Sequence, residues 1–321
     1  MGKYIEKGDT VKKAVITGAT GAIGRALISV CISNGYEVLA VVHRESVRSA
    51  ELERIEGCQV LYLNLDEYNR GLEEAKKAQL NVEGCELFFH LAWQGAFGKR
   101  RDDLDLQQVN IEAAVEAVRF AKRLGCKVFV GAGSQAEYGR TEGVLSPVTP
   151  AFPETGYGIA KLCAGQMTRL ACEQLGIRHE WCRILSVYGP YDRDETLIGT
   201  AIKLMMEDKE TEFTPCDQMW DYIYSEDAAR ALIMVAESGN DGEVYMIGSG
   251  EVQPLKQYVN TIALITHYSK EIGFGRRDYN PKQVMYLQAD ISSLHEQFGF
   301  KPMTTFEEGI LKTVKWKESE M

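Results

Sequence analysis

Tyr157 and Lys161 stand four residues apart in the run Tyr157-Gly158-Ile159-Ala160-Lys161, and Ser134 lies 23 residues before the tyrosine. On a helix, a spacing of four puts the ammonium on the same face as the phenol. A nearby cation favours phenolate and lowers a tyrosine pKa from its usual value near ~10. Such a tyrosine can exchange a proton with a substrate hydroxyl or carbonyl near neutral pH. A second group sits near the amino end, where Gly18-Ala19-Thr20-Gly21-Ala22-Ile23-Gly24 follows the apolar stretch Ala14-Val15-Ile16-Thr17. The first glycine of such a run allows a tight turn. The second lets the backbone approach a pyrophosphate, and the third lets a helix pack closely on a sheet. A phosphate-cradling loop, a serine and a Tyr–Lys pair together make a site for hydride transfer with a dinucleotide.

The elements that must hold these groups alternate along the chain. Strand patterns fall at 14–17, 37–42, 59–63, 87–91, 127–131 and 180–185, and helical patterns at 23–34, 106–124 and 157–175. Continuous apolar strands alternating with helices predict an α/β fold with a doubly wound, parallel Rossmann-type sheet. After Gly189 the elements shorten between prolines at 190, 215, 254, 281 and 302. This predicts a dinucleotide-binding domain over 1–188, with 225–248 returning to it. Residues 189–224 and 249–321 then form a smaller C-terminal substrate lobe, and the cleft between lobes is the expected ligand site.

Composition narrows the classes. The 321 residues are 45% hydrophobic and 26% charged, as in a globular protein. A formal net charge of −10 argues against nucleic acid as a partner. No apolar run reaches the length of a membrane span, and Met1 to Lys13 is a polar tail without the apolar core of a signal peptide. Eight cysteines without a Cys-x-x-Cys indicate reduced, mostly buried thiols in a cytoplasmic protein. Cys163, Cys172 and Cys182 do not have zinc-site spacing, so no metal is expected.

With these residues in hand, the chain resembles the extended short-chain dehydrogenase/reductase family, in its nucleotide-sugar epimerase, dehydratase and reductase branch. The resemblance covers nearly the whole sequence. It rests on Gly18-x-x-Gly21-x-x-Gly24, His90-Leu91-Ala92, Asn110, Ser134 with Tyr138-Gly139, Tyr157 with Lys161, and Arg183 followed by Val187-Tyr188-Gly189-Pro190. Asp221-Tyr222-Ile223-Tyr224, Asp227-Ala228 and Gly299-Phe300-Lys301-Pro302 extend it. The resemblance implies that Ser134 holds the sugar C4 oxygen, that Tyr157 is the acid/base, and that Lys161 also grips the nicotinamide ribose. It places Gly18, Thr20, Gly21, Ala22, Ile23, Gly24, Leu91 and Ala92 against the cofactor, with Asn64 and Leu65 near the adenine. Asn110 either braces loops or is an ordinary helix-surface residue. Trp93 either lines the sugar pocket or is a core aromatic, and Gln135, Arg193 and Trp220 are expected on the substrate side. Relatives dimerise through the helices 106–124 and 157–175, so a homodimer is expected.

Three departures shape the expected activity. Dehydratases of this branch carry Asp-Glu directly after the Ser or Thr, where this chain has Gln135 and Ala136. Glu137 is adjacent, but one residue along an extended segment turns its side chain away. Trp220 replaces the arginine that commonly binds the substrate diphosphate; Arg193, Lys203, Arg276 or Arg277 either substitutes for it or is a solvated charge. The second strand ends in His43-Arg44 rather than in an acid, which favours NADP over NAD through Arg44 on a 2′-phosphate. The reading is an NADP-dependent reductase of a nucleotide-linked 4-keto-6-deoxy sugar. The alternative is an NAD-dependent 4-epimerase, and a non-catalytic cofactor sensor is the third.

Overall fold

The structure is a computed structural model and describes residues 12–320. The expected polar tail therefore lies outside the described residues, apart from Lys12 and Lys13. Seven parallel strands form the central sheet, in the spatial order Val244–Ile247, Arg178–Ile184, Val128–Ser134, Cys85–His90, Lys13–Thr17, Glu37–Val42, Cys58–Tyr62. The strand order reverses at Lys13–Thr17, and open parallel sheets bind ligands beyond the carboxyl ends of the strands at such a point. The glycine run starts there.

Alternation explains why most of these strands are apolar on both faces; Arg178–Ile184 is the exception, carrying buried His179, Glu180 and Arg183. Ala14, Ile16, Val38, Ala40 and Val42 point into one buried cluster, with Leu27 and Ile28 of the helix Ala22–Ser33 and Leu232 and Val235 of the helix Ser225–Ser238. Val15, Leu39 and Val41 point into another, with Ala117 and Phe120 of the helix Leu104–Leu124 and Cys172 of the helix Gly156–Leu175. Both faces are covered, so a polar residue on a strand needs a buried partner, as Arg183 has in Glu137. On the two long helices, Val118 and Phe120 are fully buried in this second cluster, whereas Met167 and Leu170 are exposed. Cys172 and Cys182 fall in different clusters, and Cys163 is exposed.

A further apolar cluster gathers Tyr188, Ile198, Ile202, Tyr224, Tyr258 and Ile310 from the later part of the chain. Its link to the main sheet passes through Asp221. This fully buried carboxylate accepts hydrogen bonds from the Ser249 amide (2.8 Å) and hydroxyl (2.6 Å), the Gly250 amide (3.0 Å) and the Ala289 amide (3.1 Å). Asp227 does similar work, receiving the Met303 and Thr304 amides. The Asp-Tyr and Asp-Ala motifs are thus turn anchors. Asp221→Ala strands four donors, and hydrogen bonds to a charged group are worth about 1.5–3 kcal/mol each. Chemical denaturation is expected to show a loss of at least about 3 kcal/mol, and a loss below 1 kcal/mol would contradict the anchor role.

Candidate active site

The glycine turn is built by close contact with the next loop. Gly18 has φ 70°, and a Cβ there would lie 2.8 Å from the Ala92 amide nitrogen. Thr17 Oγ1 accepts from the amides of Leu91 and Ala92, both at 3.2 Å, and meets His90 Nδ1 at 3.0 Å. Burial keeps the His90 imidazole neutral, with its pKa pushed down to about 3. A Cβ on Gly24 would collide with Gly18 O, while one on Gly21 meets nothing nearer than 3.7 Å. The second glycine therefore leaves open space where the third permits packing. The helix Ala22–Ser33 has no side-chain cap and no acid in its first turn. Its amides and dipole suit an anion there, which fits a dinucleotide phosphate.

Around this turn opens a cavity of about 910 Å³, at the upper end of the range for ligand pockets. Gly18, Thr20, Gly21, Ala22, Ile23, Gly24, His43, Leu65, Leu91, Ala92, Trp93, Ser134, Gln135, Tyr157, Lys161, Arg193 and Trp220 line it. Arg44 and Asn64 do not. Arg44 Nε is held by both Glu67 oxygens (2.8 and 3.1 Å) and Nη2 by Glu74 (3.3 Å). Asn64 caps the turn Leu65–Arg70 and accepts from the Arg44 amide at 3.3 Å. Local capping and ion pairing hold both outside the cavity, away from the 2′-phosphate and adenine contacts expected of them. Lys203, Arg276 and Arg277 also stay outside, paired with Asp194, Glu210 and Glu212. Sequence reading missed Arg48, Arg101 and Tyr191, which do line the cavity. The basic run 99–101 was visible, but a loop has no periodicity to say which of its three cations turns inward.

The catalytic helix is seated by its glycines. Thr155 Oγ1 caps it through the Gly158 amide at 3.1 Å, and a Cβ on Gly158 would collide with Ala136 O. That contact brings half-buried Tyr157 next to Ser134. Lys161 is almost fully buried; its Nζ donates to Ala132 O at 2.7 Å and lies 3.8 Å from the Trp93 ring centroid. It lies 5.9 Å from the Tyr157 ring centroid. Burial pulls the lysine pKa down to about 7, against the opposing charge of Glu137. Burial also raises the Tyr157 phenol above its usual value, and the Ser134 hydroxyl and Arg101 guanidinium offset part of this. The expected lowering of the phenol by Lys161 is therefore not the state of the free protein. Burial thus shifts the phenol in the direction opposite to the one expected.

Two other expectations resolve. Asn110 is buried and bonds both ways with Gln94, accepting from its amide and donating to its carbonyl at 2.9 Å each, so it braces the loop. Trp93 faces the cavity, donates Nε1 to Gln107 Oε1 (3.0 Å) and meets the Tyr157 ring edge-on at 6.0 Å.

The fold, the uncapped helix behind the glycine turn and the Ser–Tyr–Lys cluster define a dinucleotide-dependent class of enzyme fold. The chain belongs to the NAD dependent epimerase/dehydratase family, which it matches over residues 14–248. Among curated relatives it is 29% identical to a dTDP-6-deoxy-L-talose 4-dehydrogenase (NAD(+)) of Aggregatibacter actinomycetemcomitans, over 76% of this chain and 87% of that one. It is 23% identical to a CDP-abequose synthase of Salmonella muenchen over 97% of this chain and 99% of that protein. A dTDP-glucose 4,6-dehydratase of Salmonella typhimurium is 30% identical over 54% of this chain, and the chain spans about half the length of that relative. Among solved structures, the UDP-glucose 4-epimerase of Thermotoga maritima superposes with TM-score 0.84 at 23% identity, covering 96% of this chain and 99% of that one. The UDP-N-acetylglucosamine 4-epimerase of Methanobrevibacter ruminantium gives 0.85 at 22% identity, covering 98% and 100%. These two likenesses bear on the fold.

The lysine generates a paired expectation. An ordinary lysine keeps its proton up to 10.5, and Lys161 only to about 7. Between those values the unfolded chain binds the extra proton, so stability rises with pH across that window. Below it the cost of burying the ammonium is present in full. The Trp93 face and the Ala132 carbonyl return part of that cost. Lys161→Met is therefore expected to raise the melting temperature of the ligand-free protein by a few degrees at pH 6 and by less as pH approaches 10, while abolishing turnover. A melting temperature lowered at pH 6 would refute this reading.

Proposed function

We propose that this chain is an NADP-dependent reductase of a nucleotide-linked 4-keto-6-deoxy sugar. The observation that carries the reading is the fate of Glu137. Its carboxylate is fully buried and accepts from the Ser134 amide (2.7 Å), Trp181 Nε1 (3.0 and 3.2 Å) and Arg183 Nε (2.7 Å). It faces the core and is absent from the cavity lining. Elimination of water needs a base for the C5 proton and an acid for the leaving hydroxyl, and Gln135 and Ala136 do not ionise. Asp192 is the one carboxylate among the described cavity-lining residues. Its oxygens accept from the Arg193 amide (2.7 Å) and Thr196 Oγ1 (2.9 Å). Reduction needs neither group. The likeness to a 4-dehydrogenase of a nucleotide-linked 6-deoxy sugar supports the substrate class and chemistry at C4, though that relative is named for NAD(+).

In this mechanism the glycine turn and the amino end of the helix Ala22–Ser33 would hold the cofactor pyrophosphate, and a nicotinamide bound there would supply the hydride that reduces the sugar C4. Ser134 holds the C4 oxygen, and Tyr157 gives it the phenolic proton. Lys161, fixed by Ala132 O and the Trp93 face, reaches the ribose side. Trp93 keeps water from the reacting face. A 4-epimerase would use the same three residues without net use of cofactor.

NADP preference rests on the strand end, where His43 stands in place of an acid and lines the cavity with Arg48. Arg48 spends Nη1 on Tyr191 O at 3.0 Å and keeps its other donors. A screen of nucleotide-linked 4-keto-6-deoxy sugars is expected to consume NADPH in stoichiometric amounts. Arg48→Ala is expected to weaken NADPH about tenfold and NADH little. Product formed without net NADPH use would select the epimerase, a product lighter by one water would overturn both, and equal affinity for the two cofactors would remove the NADP assignment.

A homodimer forms part of the proposal. Val109 on one long helix and Ile159, Met167 and Leu170 on the other are roughly half-exposed apolar residues, as a two-fold helical interface requires. Light scattering is expected to give twice the chain mass for the wild type and the chain mass for a Met167→Glu, Leu170→Glu variant. A monomeric wild type would refute it.

A further inference from the structure

We propose that Arg101 is a positioning residue for proton transfer, whose guanidinium, laid on the Tyr157 ring, is the lasting positive charge that makes the phenol able to ionise. The inference rests on the assignment of Tyr157 as the proton donor and adds a residue outside the Ser–Tyr–Lys set.

The geometry is built from several independent contacts. The Arg101 guanidinium carbon lies 4.7 Å from the Tyr157 ring centroid, and the side chain is half-buried in the cavity wall. Its Nη1 donates to Ala96 O at 3.0 Å, which fixes the plane. The turn that carries it, Gly98–Asp102, is docked on the amino end of the catalytic helix. Asp102 Oδ1 accepts from the Gly156 amide at 2.8 Å, and a Cβ on Gly156 would lie 2.9 Å from Arg101 O. Only glycine admits the turn so close to the residue before Tyr157. On the other side buried Gln107 donates Nε2 to both Gly95 O and Arg100 O at 3.1 Å, and accepts from Trp93 with its Oε1. One side chain thus ties the loop carrying Arg101 to the tryptophan against which Lys161 rests.

The charges around the phenol show why a second cation matters. On its own helix, Lys161 faces Ala132 O and Trp93, and burial brings its deprotonation down to about 7. From the end of the strand Val128–Ser134 come the Ser134 hydroxyl and the Glu137 carboxylate, whose charge opposes phenolate. Arg183 pairs with Glu137 from the neighbouring strand, on the core side. Trp93 itself offers only an aromatic edge. Above neutral pH, Lys161 loses its charge while a guanidinium keeps its own. When Tyr157 gives up its proton, the charge left behind is partly buried in the cavity wall, where a fixed cation at close range counts more than in open water.

The test reads the phenol directly and does not need turnover. Ultraviolet difference titration of the cofactor-free protein against its Tyr157→Phe counterpart isolates the Tyr157 ionisation. In Arg101→Gln the midpoint is expected to rise by about one pH unit relative to wild type, and in Arg101→Lys to fall between the two. In the reductase assay the kcat–pH profile is expected to move by the same amount. Arg101→Met, which keeps the apolar stem on the ring, replaces the Gln variant if the latter does not fold, with the same expected midpoint. An unchanged midpoint in the Gln or Met variant overturns the inference. An equal rise in the Lys variant also overturns it, because packing rather than charge would then be the cause. Near-normal turnover of Tyr157→Phe would instead sink the reductase mechanism, while the titration would still decide what Arg101 does.

Discussion

The buried carboxylate of Glu137 is the interaction on which the site depends. It receives the Ser134 amide, the Trp181 indole and the Arg183 guanidinium, and so fixes the turn that ends the central strand Val128–Ser134. Room for this cluster comes from glycines: a side chain at Gly131, Gly133 or Gly165 would run into the Trp181 ring. A buried charge is stable only with full hydrogen-bonding, and Glu137 has it. The catalytic helix then rests on the same turn through Gly158 and Ala136, which sets Tyr157 against Ser134. Structure and chemistry are coupled here. The carboxylate that holds Ser134 in place faces the core and not the cavity.

A second constraint is the loop 93–102, which closes over the tyrosine from the other side. Gln107, Asn110 and Asp102 together supply hydrogen bonds to Trp93, Gln94, Gly95, Arg100 and Gly156. Loops that carry functional groups need such support from rigid elements. The helix Leu104–Leu124 therefore serves two tasks, covering one sheet face with its apolar residues and bracing the active-site loop with its first polar turns. Asn110 illustrates this, being an inward amide on a helix whose neighbours are core alanines.

On the far wall, Tyr191 joins the two parts of the chain. Its ring lies 4.1 Å from the Arg25 guanidinium and 4.9 Å from the Trp316 ring, and its hydroxyl donates to Glu51 at 3.0 Å. Arg25 pairs with the same Glu51. Tyr191 holds φ 65°, uncommon for a bulky residue. These contacts connect the helix Ala22–Ser33 to the helix Phe306–Ser319 beside the cavity that Tyr191 lines.

Much of the architecture was legible in the sequence because it rests on short-range rules. Alternating apolar strands and helices predict the parallel sheet, and the strand expected at 180–185 differs from Arg178–Ile184 by a residue or two at its ends. The glycine spacing predicts the turn because each glycine answers a local steric demand that the contacts of Gly18 and Gly24 display. The four-residue step from Tyr157 to Lys161 likewise needs only a helix. Which charges reach the cavity was decided by tertiary packing. Arg44 sits at the expected strand end yet is claimed by Glu67 and Glu74, and Arg101 comes from a loop without periodicity yet lies on the catalytic ring. Glu137 follows Ser134 closely in sequence yet faces Arg183, 46 residues away. Sequence alone determines where backbone can turn and which residues share a face. Burial and pairing between distant segments decide which ionisable groups are free to act, because a charge goes wherever its desolvation is best repaid.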